Sequence, residues 1–217
     1  MKRRSWTTAA AGGAVLALAA ACAVPEETEP GAPPPAAAAG TTEAGRPPAA
    51  GAGRTLGYLG WEDLSVRMVG EGATAGLRID ITTLDDEAVA LAADDVRTYL
   101  EDMKTRIPDA VPAQAAREMR AFLVAFSGFE KEVRFDPSRL QLRSEGSSYY
   151  PRYVVPVSRE FDRRLVGLYE TVYAIYLFDA SIDLRATLEF QYAELTTGGA
   201  WRAVVERIER ARGRGQS

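Results

Sequence analysis

The chain has no histidine, one cysteine and only three lysines, Lys2, Lys104 and Lys131, among its 26 basic residues. Each shortage removes a kind of chemistry. Without histidine there is no Ser-His-Asp or Cys-His arrangement, no imidazole base and no His-ligated zinc. A single cysteine forms no internal disulfide. The lysines stand in highly charged surroundings, which leaves few partners for a serine-lysine pair or a Schiff base. Long apolar runs are lacking too. The run from Ala9 to Ala21 is about a dozen residues, short of the roughly 20 that a membrane-spanning helix needs.

Carboxylate chemistry survives these exclusions, and it requires two acids facing each other across a cleft, one with a raised pKa. The candidates are Asp85, Asp86, Asp94, Asp95, Asp179 and Asp183. Asp94 and Asp95 continue into Glu101 and Asp102 as the polar face of a helix. Asp179 and Asp183 bracket Ser181 after an apolar run, but no segment has the Asp-x-Asp-x-Asp-Gly spacing of a calcium loop. The sequence therefore assigns no catalytic residue, no metal site and no cofactor.

What is present begins with Lys2, Arg3 and Arg4, followed by the apolar run and a small-residue end, the order of a secretory signal. The stretch Leu18-Ala19-Ala20-Ala21-Cys22 resembles the bacterial lipobox, although Ala19 stands where that family prefers leucine. The resemblance implies a signal peptide over 1–21, cleavage before Cys22 and lipidation of its thiol. The two or three acyl chains of such a lipoprotein give lasting membrane attachment at about 0.8 kcal/mol per buried methylene. An ordinary signal peptide with a chance cysteine is the alternative reading. Arg3-Arg4 also resembles a twin-arginine signal with a poor continuation. Ala23 lacks the aspartate that resembles an inner-membrane retention signal, so the expected location is the cell envelope, at the outer membrane if the organism has one.

Residues 22–54 are rich in Ala, Pro, Gly, Thr and Glu, as in Pro30-Gly31-Ala32-Pro33-Pro34-Pro35. Such a composition buries too little apolar surface to offset its ordering entropy, and it reads as a disordered tether. The remainder, 55–212, is the size of one domain, with a disordered tail over 213–217. Loss of Lys2, Arg3 and Arg4 with the signal moves the formal charge from −4 to −7. That disfavours a nucleic-acid partner, whose phosphates call for basic protein.

Inside the domain, Leu64–Met68 and Leu77–Ile81 alternate apolar and polar residues and predict two strands joined by a glycine-rich hairpin. Val89, Val96, Tyr99, Leu100 and Met103 fall on one helical face. Met119, Phe122, Leu123 and Phe126 do so again, which predicts an inserted pair of helices over about 86–126. The strand period then returns. Phe129, Val133 and Phe135 share one side, and Leu140 and Leu142 follow. A turn at Ser144-Glu145-Gly146-Ser147 precedes a β-prone run from Tyr149 to Val157, which Pro151 and Pro156 demote to an edge or irregular strand. Val172–Phe178 suits a strand covered on both faces. Leu188, Phe190 and Tyr192 alternate again, and Trp201–Ile208 fits either a helix or a final strand after Gly198-Gly199, the strand being preferred here.

Seven or eight short strands separated by turns suggest a β-sandwich. Phe135–Leu142, Gly146, Tyr149-Tyr150-Pro151, Ala174–Phe178 and Leu188-Glu189-Phe190 resemble, as a pattern, the immunoglobulin-like sandwich of many small bacterial lipoproteins. The expected class is mainly β, an antiparallel sandwich with two inserted helices, with α+β as the alternative. Tyr149, Tyr150 and Tyr153 are the candidate partner-binding residues, since aromatics present amphipathic area to an interface. Arginines at 159, 163 and 164 and from 202 to 214 are interleaved with Glu206 and Glu209, as on an ordinary charged face. The resulting expectation is a non-catalytic envelope lipoprotein that contacts another envelope protein or polymer. The rival is a carboxylate-dependent hydrolase of envelope carbohydrate.

Overall fold

A computed structural model describes residues 58–214. The expected signal peptide, Cys22, the tether over 22–54 and residues 215–217 lie outside the described residues.

The hairpin β1 (Ser65–Val69) and β2 (Leu77–Thr83) forms as the alternation predicts, with Val66↔Ile81 and Met68↔Ile79 in register. Helices α1 (Asp86–Ala90), α2 (Asp94–Thr105), α3 (Ile107–Ala110) and α4 (Ala113–Arg117) follow. Asp85 caps α1 by accepting from the N–H groups of Glu87 and Ala88. Then come β3 (Met119–Gly128), β4 (Glu132–Arg134), β5 (Leu140–Ser144), β6 (Ser147–Tyr149), β7 (Tyr153–Pro156), β8 (Leu165–Gly167), β9 (Thr171–Asp179), β10 (Leu188–Tyr192), β11 (Leu195–Thr196) and α5 (Ala200–Arg214).

The strands make three antiparallel sheets among the described residues: β1-β2-β3-β9-β7, β11-β10-β5-β6, and the ribbon β4-β8. The fold is mainly β and sandwich-like, with a few helices. Phe122, Val124 and Phe126 of β3 and Ala174, Tyr176 and Phe178 of β9 share one core with Leu142, Leu188 and Phe190 of the four-stranded sheet. The residues between them, Leu123, Ala125, Ile175 and Leu177, face a second core with Val96, Leu100 and Met103 of α2. The five-stranded sheet is thus a middle layer with apolar side chains on both faces, which is why β9 reads as a continuous apolar run.

The same two-sided burial corrects the expected second helix. The stretch 119–126 is not helical but most of the central strand β3, paired with β2 and β9. With neighbours on both faces, every position from Phe122 to Phe126 is apolar, and a helical spacing appears within the run by default. The end of the chain is corrected in the opposite sense. Residues 200–214 form α5, not a strand, and the helix runs two residues past the expected domain end. Trp201, Val204 and Ala211 are buried while Ala203, which a strand would turn inward, is exposed. Trp201 donates to the Leu184 carbonyl at 2.8 Å. Phe129 is the third correction: Val133 and Phe135 are buried, but Phe129 lies before β4 and is exposed.

Candidate functional site

Most of the six acids proposed for carboxylate chemistry hold caps, turns or ion pairs. Asp85 caps α1, Asp86 pairs with Lys104, and Asp94 pairs with Arg97 at 2.5 Å. Asp95 is exposed in the first turn of α2. Asp179 pairs with Arg152 and accepts from the Ser181 N–H at 2.9 Å, and Asp183 accepts from the Arg185 N–H at 2.9 Å. Among the described residues, no group of three or more Cys, Asp or Glu side chains is arranged to hold a metal ion.

The three tyrosines proposed for partner binding occupy different environments. Tyr149 ends β6 and packs partly against the sandwich core. Tyr150 is exposed in the crossing Tyr150-Pro151-Arg152, which carries the chain from one sheet to the other. Tyr153 is exposed at the start of the edge strand β7, paired with Leu177. The two prolines sit as expected, Pro151 in the crossing and Pro156 at the end of β7.

A different surface carries most of the exposed apolar side chains. Seven large apolar side chains are exposed among the described residues, and four of them, Val69, Phe129, Leu168 and Tyr169, lie at one end of the five-stranded sheet. There β1 ends, β2 begins, β3 ends and β9 begins. The Arg78 guanidinium lies 5.1 Å over the Phe129 ring, and the Tyr169 ring meets Phe129 edge-on at 6.5 Å. Val69 pairs with Arg78 across the hairpin.

Backbone contacts fix this end. Gly128 donates to the Glu170 carbonyl at 3.0 Å and accepts from the Tyr169 N–H at 2.8 Å, and Phe129 donates to the Gly76 carbonyl at 2.7 Å. The Glu170 carboxylate accepts from the Gly167 N–H at 2.9 Å. Tyr169 itself is held at φ +61°, a left-handed conformation that costs a non-glycine residue about 1 kcal/mol or more, and its side chain is 80% exposed. A large ring is thus held outward on a rigid, strained turn. A sequence signal existed: Gly128-Phe129-Glu130-Lys131 and Gly167-Leu168-Tyr169-Glu170 each place apolar side chains directly after a strand-ending glycine and before charges.

Beside this end, on the same face of the sheet, Asp80 is largely buried between two arginines. Arg67 Nε donates to it at 2.5 Å, and Arg78 Nε lies 2.9 Å from its other oxygen as an ion pair without hydrogen-bond alignment. Ser65 and Thr82 share a hydroxyl hydrogen bond of 2.7 Å further along. Ser65, Arg67 and Asp80, with Trp61, Glu62 and Val66, border a shallow depression.

Elsewhere, burial pushes the Tyr99, Tyr176 and Tyr192 hydroxyls up from their ordinary values. The Ser138 hydroxyl and N–H hold the Asp136 carboxyl below its usual range, and the Ser181 N–H and hydroxyl do the same for Asp179. The depressed carboxyls contribute stability that is present above about pH 4 and lost as the pH falls through their lowered values. The raised tyrosines contribute stability that is present below about pH 10 and lost as the pH rises past it. No histidine titrates between these limits. Thermal unfolding is therefore expected to be level from about pH 5 to 9 and to weaken outside that window. A stability step centred near pH 6.5 would contradict this account.

The chain is thus a mainly β, antiparallel, sandwich-like protein with one exposed apolar end. No known protein family matches it, and no curated protein or solved structure matches it.

Proposed function

We propose that this is an exported lipoprotein anchored through Cys22 to a membrane of the cell envelope, outside the cytoplasm. Its folded part works as a non-catalytic binding module, an immunoglobulin-like sandwich on a tether. The anchor rests on the order of basic cluster, apolar run and lipobox-like Leu18–Cys22. The immunoglobulin-like description is supported by two antiparallel sheets over a shared aromatic core and by the chain crossing between them at Tyr150-Pro151-Arg152. In two-membrane bacteria the outer membrane is the destination, because Ala23 follows the cysteine.

The observation that carries the binding role is the exposed apolar end. Burying Val69, Phe129, Leu168 and Tyr169 against a partner gains on the order of 25 cal/mol per Å² of apolar surface, whereas leaving them in water gains nothing. Tyr150 and Tyr153 offer a second, separate contact area on an envelope protein or polymer. Of the six candidate acids, by contrast, Asp85 caps α1 and Asp86, Asp94 and Asp179 are held in ion pairs.

Substitution of Cys22 by serine tests the anchor. The parent protein should partition into the detergent phase of a Triton X-114 separation, and the Cys22→Ser protein should move to the aqueous phase or keep its uncleaved leader. Equal partitioning of the two, with equal processing, would refute the lipid attachment.

A further inference from the structure

We infer that the end formed by Val69, Phe129, Leu168 and Tyr169 docks on the surface of the bilayer to which the chain is anchored. This rests on the anchored-module reading above and names the partner of its exposed apolar site. The four side chains together expose on the order of 400 Å², a size at which a patch on a monomer is often functional. It is about half of the roughly 800 Å² per partner that a stable protein interface buries. A contact this small needs help from a second attachment. A lipid on Cys22 supplies it, because tethering turns docking into an intramolecular event at high effective concentration.

Chain length and the place where the chain enters the domain fit this arrangement. Leu59 bridges to Ala92 beyond the end of β2, so the chain enters the domain at the opposite end of the sheet from Val69 and Phe129. To bring the far end to the bilayer, the connection must run back past β1, which spans about 17 Å at 3.4 Å per residue. The 35 residues between Cys22 and Tyr58 reach up to roughly 115 Å when extended. The reach is ample.

The chemistry of the patch is interfacial. Val69 and Leu168 have nothing to offer a sugar hydroxyl, whereas Phe129 and Tyr169 combine an apolar body with, in Tyr169, a hydroxyl for the headgroup level. The rim is not basic: Arg67 and Arg78 both pair with Asp80, and Lys131 stands among Glu71, Glu130 and Glu170 in a rim with more acids than bases. Apolar contact, rather than attraction to anionic phosphate, drives the docking.

The test uses the anchored full chain carrying Tyr169→Trp, purified from membranes and reconstituted into phosphatidylcholine vesicles with ordinary or brominated acyl chains. The extra fluorescence contributed at position 169, over that of the parent protein, should fall about twofold or more in brominated vesicles. Adding Phe129→Ser should remove most of that loss. Phosphatidylglycerol should leave it unchanged. A Tyr169→Gly protein should melt no lower than the parent, since glycine relieves the left-handed strain, which separates docking from folding. Equal brightness in both vesicle types, with the protein still floating with the lipid, overturns the docking and leaves the anchor standing. Quenching seen only with phosphatidylglycerol overturns the apolar contact, and a co-purifying protein lost with Phe129→Ser in the absence of quenching assigns the patch to a protein partner instead. A protein that fails to float with any vesicle contradicts the anchor itself.

Discussion

Phe122→Ala is expected to destabilise the domain by about 3 to 5 kcal/mol, the range for deleting a fully buried aromatic ring. The Phe122 ring is completely buried at the meeting point of three elements beyond its own strand. It meets Phe178 of β9 at 5.8 Å, Phe190 of β10 at 5.0 Å and Trp201 of α5 at 5.7 Å, each edge-on. Phe190 and Trp201 also contact each other at 5.8 Å, so the cavity walls brace one another and relax little. Each edge-to-face pair contributes about 0.5 to 1.5 kcal/mol beyond area burial, and all three with Phe122 are lost together. For a domain of this size the melting temperature should drop on the order of 10 °C. Calorimetry or denaturant titration reads the effect, and a loss below about 1 kcal/mol would mean that this ring is not the joint between sheets and helix.

Gly128→Ala is the second large effect, and it acts through the backbone. A Cβ at Gly128 would sit 2.3 Å from the Gly167 carbonyl oxygen and 3.1 Å from that of Val166. Neither oxygen belongs to a flexible side chain, and Gly128 is held in place by its bonds to Glu170 and Tyr169. Relief therefore requires β8 to separate from the end of β3, at an expected cost of about 3 kcal/mol, the upper part of the usual overpacking range. The turn that carries Leu168 and Tyr169 should loosen with it, so amide exchange there should accelerate more than exchange in β10. Gly146→Ala is the comparison. Gly146 has φ +81° but open space around it, and that change should cost only about 1 kcal/mol. Similar losses from the two substitutions would contradict the close approach of β3 and β8.

Strands with one buried face were legible in the sequence. Val66 and Met68 in β1, Leu140 and Leu142 in β5, and Leu188, Phe190 and Tyr192 in β10 alternate with polar residues because one side of each strand meets solvent or polar neighbours. The edge position of β7 was legible from Pro151 and Pro156, although the break that separates β6 from β7 at Tyr150-Pro151-Arg152 was not. Period two disappears where the middle sheet is covered twice. In β9 the length and β-branched content still favoured a strand, but in β3 the spacing of Met119, Phe122, Leu123 and Phe126 mimicked a helix. For α5 the deciding contact is tertiary: Trp201, Val204 and Ala211 are buried on one side of the helix between the two cores, and Ala203 is left in water.

The candidate site was less legible. Tyr150 and Tyr153 are exposed and Tyr149 is half-buried, whereas the cluster of Val69, Phe129, Leu168 and Tyr169 is drawn from three segments that are distant in sequence. Only the pairing of β1 with β2, β2 with β3 and β3 with β9 brings them to one end. No local period encodes such a meeting. The local trace was a large apolar residue set after a glycine that ends a strand, twice.

The anchor is tested most directly by the intact mass of the protein extracted from the membranes of the cells that make it. The account predicts a chain beginning at Cys22, heavier than residues 22–217 by a thioether-linked diacylglyceryl group, alone or with one further acyl chain on the new amino terminus. A chain of unmodified mass with a free Cys22 thiol, or one still beginning at Met1, would contradict it.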